Sequence, residues 1–148
     1  MNVLIVEDNA EKNKAIETII RSQFTGRIDF AQTISSAYSQ LEHHNWDLVI
    51  LDMTFQVSQG LGQAVRKEAL AGLEILQFMT SKNLSYPVIV ATQHSSFSQV
   101  GLISLSSVEE LHSLLSETFP EIYRETITVD LTTNEWHAAL LNAAKRIP

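Results

Sequence analysis

The sequence predicts an α/β protein built on a doubly wound parallel sheet of five strands. Three observations carry this. Val3-Leu4-Ile5-Val6, Leu48-Val49-Ile50-Leu51 and Val88-Ile89-Val90-Ala91 are apolar without alternation and too short for helices, as strands buried on both faces are. Apolar stripes at helical spacing lie between them. Strand and helix signals alternate along the chain, which short right-handed crossovers turn into a parallel sheet covered on both sides. The strand order expected for such a unit is 2-1-3-4-5.

The elements follow in order. After Asn2 to Val6 comes Glu7-Asp8-Asn9, where Asp8 or Asn9 can cap a helix carrying Ile16, Ile19 and Ile20. Thr25-Gly26 stops that helix. Ile28 and Phe30 alternate with polar residues, which suits a strand near a sheet edge. Ile34, Ala37, Tyr38 and Leu41 make the next stripe, ending around His43-His44-Asn45. The central strand runs from Asp47 to Asp52. From Thr54 to about Ala71 the pattern lapses into a long loop containing Gly60 and Gly62, of the kind that in a compact domain serves function. Leu73, Leu76 and Met79 restore helical spacing before the strand Pro87 to Thr92. Gln93 to Leu105 reads as Ser-rich and irregular. Ser107 and Glu110 mark a capping box before Val108, Leu111, Leu114 and Leu115. Thr126 to Asp130 alternates as a last strand. Thr132 and Glu135 suggest a second capping box before the stripe of Trp136, Ala139, Leu140, Ala143, Ala144 and Ile147. The whole, residues 1–148, is expected to form one domain with an insertion at about 55–71.

Composition narrows the function. Hydrophobic residues at 45% against charged residues at 18% argue for a packed core rather than disorder. The absence of cysteine removes disulfides, thiolate metal sites and cysteine catalysis. A net charge of −7 disfavours a nucleic-acid surface and suits a cation site or a basic protein partner. The opening strand leaves no room for a signal peptide and no apolar run is long enough to cross a membrane, so a cytoplasmic location is expected.

The chemistry gathers at the carboxyl ends of the strands, where open α/β sheets bind ligands. In the order 2-1-3-4-5 the first and third strands are neighbours, so Glu7, Asp8 and Asp52 meet there, with Thr92 one strand over. Three carboxylates in one crevice either rise in pKa or hold a hard divalent cation. Mg²⁺ suits oxygen ligands and phosphate; Asp52 could then act as a carboxylate nucleophile toward phosphorus, with Thr92 hydrogen-bonding a phosphoryl oxygen. Each residue alone has a plainer role: Asp8 or Asn9 as a helix cap, Asp52 as a strand end, Thr92 as a strand residue. Their convergence favours the site.

Val3 to Asn9, Asp47 to Met53, Gly72 to Leu76 and Val88 to Thr92 together resemble the receiver domain of two-component response regulators, over nearly the whole chain. The resemblance implies a flavodoxin-like receiver fold. It makes Asp52 the phospho-acceptor, Glu7 and Asp8 the acidic pair holding Mg²⁺, and Thr92 the switch hydroxyl. Asp52 and the backbone of Thr54 would complete the metal shell. It implies a histidine kinase or phosphotransfer protein as phosphodonor, a downstream effector protein, no nucleic acid, no membrane, and no enzyme activity beyond phosphorylation and dephosphorylation of Asp52 itself. The sequence departs from the family in four places. The Lys-Pro pair expected after the fifth strand is replaced by Val129-Asp130-Leu131-Thr132. Ile127 and Val129 stand where an aromatic switch residue belongs. Gln93 follows Thr92 where a small residue is usual, and the segment after Asp52 is long.

Two functional readings follow. One is a stand-alone atypical receiver accepting a phosphoryl group on Asp52 in Mg²⁺-dependent phosphorelay signalling. The other is a pseudo-receiver working as a protein-interaction module without phosphorylation. An Asp-x-Asp phosphatase or nucleotidyl-transfer domain is disfavoured by Asp52-Met53-Thr54, and a flavodoxin by the acidic Glu7-Asp8-Asn9 where a flavin phosphate would sit. His43-His44 and His94 read as solvated or loop residues and Trp136 as core. Arg66-Lys67 reads as a solvated pair, or as a positive charge offered to the crevice in place of the missing Lys. The 55–71 segment is expected to limit access to Asp52 and to bear on partner choice.

Overall fold

The computed structural model describes residues 1–53, 71–93 and 107–147, and the backbone of 55–56, 67–68, 97–100 and 103–105. Strands β1 (Val3–Val6), β2 (Ile28–Ala31) and β3 (Leu48–Leu51) alternate with helices α1 (Ala10–Arg21) and α2 (Ile34–His43). Short strands β4 (Phe55–Gln56) and β5 (Lys67–Glu68) precede α3 (Ala71–Ser81) and β6 (Val88–Thr92). Then come β7 (Phe97–Val100), β8 (Ile103–Leu105), α4 (Val108–Thr118), β9 (Tyr123–Thr128) and α5 (Glu135–Lys145). The main sheet runs β2-β1-β3-β6-β9, all parallel, which is 2-1-3-4-5 when only its own strands are counted.

The unbroken apolar strands divide their side chains between two cores. Leu4, Val6, Val49, Leu51, Val88 and Val90 pack on one face with Leu41 of α2, Ile75 and Met79 of α3, and Leu111 and Leu115 of α4. Val3, Ile5, Leu48, Ile50, Ile89 and Ala91 pack on the other with Ile16 and Ile20 of α1 and Trp136 and Leu140 of α5. Each strand residue is thus buried whichever way it points, which is why the period-2 signal is absent. At the edge, β2 is half-exposed, with Phe30 the exposed large apolar side chain among the described residues.

The chain leaves β1 to one side to form β2 and returns to the other to form β3. That reversal opens the crevice at the carboxyl ends of β1 and β3. The entry to α1 is fixed by Asn9, whose Oδ1 accepts the Lys12 amide at 3.0 Å.

Several element expectations change. The segment after Asp52 is bounded by β4 and β5, which pair antiparallel (Phe55 with Glu68, Gln56 with Lys67). The stretch read as irregular contains a second antiparallel pair, β7 with β8. The last sheet strand begins at Tyr123, three residues before the alternation suggests, and ends at Thr128. The capping box expected at Thr132 does not form: Thr132 donates its amide (3.0 Å) and hydroxyl (2.6 Å) to Asp130 Oδ1, and α5 starts later, behind Asn134. Ser107 caps α4 as expected, through the Glu110 amide at 3.1 Å. A capping box the sequence reading passed over joins Thr33 and Ser36 at α2, with Ser in place of the usual Glu.

Candidate metal and phosphoryl site

Glu7 directly follows β1 and Asp52 directly follows β3. Parallel pairing holds both in register: the Asp52 amide donates to Val6 O at 3.0 Å and the Glu7 amide to Ala31 O at 3.0 Å. Glu7 is pinned further by Asn13, whose Nδ2 donates to its carbonyl at 3.0 Å, and by the Asp8 amide, which donates to Glu7 Oε2 at 2.8 Å. From the other side, the Gly72 amide at the start of α3 donates to Met53 O at 2.9 Å. The structure brings Glu7, Asp8 and Asp52 together, with one carboxylate oxygen from each within 4.8 Å of the others. Glu7 and Asp52 are buried and Asp8 is half-buried. Thr92 is fully buried at the end of β6, one strand over, and Val129 after β9 is tied to its carbonyl at 2.8 Å. Gln93 is exposed. Thr54, Arg66 and His94 lie outside the described residues.

The group contains a residue that the sequence reading missed. Lys12, on the first turn of α1, is 1% exposed. Its Nζ lies 2.6 Å from Glu7 Oε1 and 3.4 Å from Asp52 Oδ1, and donates to Ala91 O at 2.7 Å. One ammonium thus spans the ends of β1, β3 and β6. The signal was present: Lys12, Ile16 and Ile20 fall at i, i+4 and i+8, so the lysine occupies the next place on the buried stripe, nearest the site. A buried ammonium is stable only among anions and acceptors, and here it has all three.

Electrostatics set the state of the carboxylates. Burial, reinforced by Asp52 alongside, pushes the Glu7 carboxyl from its ordinary range up to about 8, against the opposing pull of Lys12. Asp130, just after β9, is fully exposed; its carboxyl is lowered by the hydrogen bonds from Thr132.

The donor set fits a hard divalent cation. All the donors are carboxylate oxygens; Glu7 Oε1 and Asp52 Oδ1 are buried, with the Lys12 ammonium the group facing both, close to Glu7 and more distant from Asp52. Three carboxylates against one ammonium leave the group anionic when ionised. Mg²⁺ prefers a few carboxylates plus water, and the half-buried Asp8 is the member of the group that reaches solvent.

A doubly wound parallel sheet with an acidic group at its switch point is the arrangement of a signalling receiver. The chain belongs to the response regulator receiver domain family, whose model matches residues 3–104. It is 26% identical over 149 residues to the Detocs response regulatory protein DtcB of Enterobacter cloacae, covering 95% of this chain and 96% of that protein. Its fold matches the response regulator domain of Thermotoga maritima CheB with a TM-score of 0.64 at 20% identity, covering 99% of this chain and 95% of that one. It also matches the Thermotoga maritima response regulator TrrA, solved with Mg²⁺ and BeF, with a TM-score of 0.59 at 18% identity over 96% and 97% of the two chains.

Proposed function

We propose that this protein is an atypical receiver that takes a phosphoryl group onto Asp52 from a histidine kinase or phosphotransfer protein. The observation that carries the reading is the convergence of Glu7, Asp8 and Asp52 with a buried ammonium at the ends of adjacent strands. In the transfer, an Asp52 carboxylate oxygen attacks phosphorus. An Oδ–P bond forms while the P–N bond to the donor imidazole breaks, its electron pair staying on the ring nitrogen. A ring protonated at its other nitrogen leaves neutral. Glu7, Asp8 and Asp52, with the backbone carbonyl of Thr54, would hold Mg²⁺, which supplies charge neutralisation on the transferred group. Thr92, at the end of the next strand, is the hydroxyl assigned to a phosphoryl oxygen. The protein has no other substrate in this reading, and it signals by docking an effector or by passing the phosphoryl group on. Two likenesses support it: the Enterobacter relative is named a response regulatory protein, and the structural neighbour TrrA was captured with Mg²⁺ and BeF.

The test is incubation with a small phosphodonor and Mg²⁺ followed by intact-mass measurement. Wild type should gain a single phosphoryl mass and Asp52→Ala none. Equal labelling of both sinks the assignment of Asp52. The second reading, a phosphorylation-independent interaction module, is favoured by one observation: Lys12 already stands against Asp52 as counter-charge. No labelling of either protein would select it.

A further inference from the structure

We infer that Lys12, entering from α1, is the cation that pairs with the phosphoryl group on Asp52, in place of a lysine from the far side of the sheet. The inference rests on the proposed phosphorylation of Asp52 and names a residue to hold the transferred charge. Among the described residues after β9 none brings a cation to this end of the sheet: Val129 is buried and apolar, and Asp130 is exposed and engaged with Thr132. Lys12 instead reaches the crevice from the first turn of α1. Its ammonium is already desolvated, so pairing it with a phosphoryl oxygen needs no further removal of water from the cation. It stands 3.4 Å from Asp52 Oδ1, a contact too long to be a strong hydrogen bond, while its bonds to Ala91 O and Glu7 Oε1 are short. The weakly used direction is thus the one facing Asp52. An acyl phosphate there places more negative charge beside Nζ than the free carboxylate does, and the attraction grows with that charge at short range. Because Ala91 O lies one residue before Thr92, any movement of the ammonium is felt at the end of β6 and at the N-terminal turn of α1.

The experiment compares wild type with Lys12→Met, Lys12→Arg and Asp52→Asn at saturating Mg²⁺. Phosphodonor labelling and the affinity for beryllofluoride, a phosphoryl mimic, are both read. Lys12→Met should lose about 10- to 100-fold in labelling rate and in beryllofluoride affinity, the worth of one charge-assisted contact, with Mg²⁺ affinity undiminished. Lys12→Arg, which keeps the charge, should recover part of the loss. A Lys12→Met protein that labels and binds beryllofluoride as wild type does would overturn the inference while leaving Asp52 phosphorylation standing. A wild type that neither labels nor binds beryllofluoride would overturn both. Wild type alone also decides the matter if the variants do not fold. In protein carrying ¹⁵N-lysine, the Lys12 Nζ signal must move when beryllofluoride is added to the Mg²⁺ form; an unmoved signal overturns the inference.

Discussion

At Glu7, burial and the nearness of Asp52 outweigh the pull of Lys12, so the folded protein holds this carboxyl's proton up to about pH 8. The unfolded chain releases it near the ordinary value of 4.5. Between those limits the folded state binds more protons than the unfolded state, so this group's stabilising effect is complete below 4.5 and is lost as pH rises to about 8. Metal-free wild type should therefore lose, relative to Glu7→Gln, on the order of a few kcal/mol across that window. Urea melts in chelator at both ends of the window check this, and parallel pH profiles of the two proteins would refute it. The three acidic residues were legible in sequence because Glu7 and Asp52 follow directly on unbroken apolar strands and Asp8 comes next after Glu7. Lys12 was not, because a lysine among Glu and Lys on an amphipathic helix reads as solvent-facing until its register with Ile16 and Ile20 is counted back.

At the scale of elements, the seat of α3 against β3 controls how Asp52 is presented. A Cβ built on Gly72 would lie 2.7 Å from Asp52 O, 2.9 Å from Met53 Sδ and 3.0 Å from Met53 Cα. Two of these three atoms are backbone and cannot swing away. Gly72→Ala should thus cost about 1–3 kcal/mol from overpacking, more than the roughly 0.5–1 kcal/mol that alanine gains in a helix. It should also slow phosphodonor labelling of Asp52, because α3 must back away from the strand end that carries it. Denaturant melts and labelling time courses measure both; an unchanged or raised stability would show that the helix start relaxes freely. Burial on both faces wrote the three central sheet strands into the sequence and alternation marked the two edge strands, whereas the two short antiparallel pairs escaped both signals. Strands as brief as Phe55–Gln56 and Lys67–Glu68 are too short to show a period, and their pairing joins residues on either side of a long intervening segment. The start of α5 was misplaced because Thr132 had a nearer partner in Asp130 than the helix it was expected to cap.

Taken as a whole, the molecule assembles its acidic group only by folding. Glu7 and Asp8 come from the end of β1 and Asp52 from the end of β3, and the β1–β3 pairing from Val3 with Leu48 to Val6 with Leu51 sets their separation. A cation bound by all three is therefore bound by the folded state and not by the unfolded chain, and its binding free energy adds to stability. The net charge of −7 acts in the same direction, since a divalent cation relieves repulsion that the fold concentrates. Lys12 opposes it, as a like charge already lodged between Glu7 and Asp52, so the gain reflects the carboxylates' preference for the metal over shared use of one ammonium. At a hundredfold excess over its dissociation constant, Mg²⁺ should stabilise the protein by about 2.7 kcal/mol. For a chain of this size that corresponds to a rise of roughly 5–10 °C in melting temperature. Asp52→Asn, which keeps the shape and removes a ligand charge, should lose most of the rise. Calorimetry of both proteins in chelator and in millimolar Mg²⁺ is the measurement. A wild-type melting temperature that ignores Mg²⁺, or a rise that Asp52→Asn retains in full, would mean that Lys12 alone balances these carboxylates.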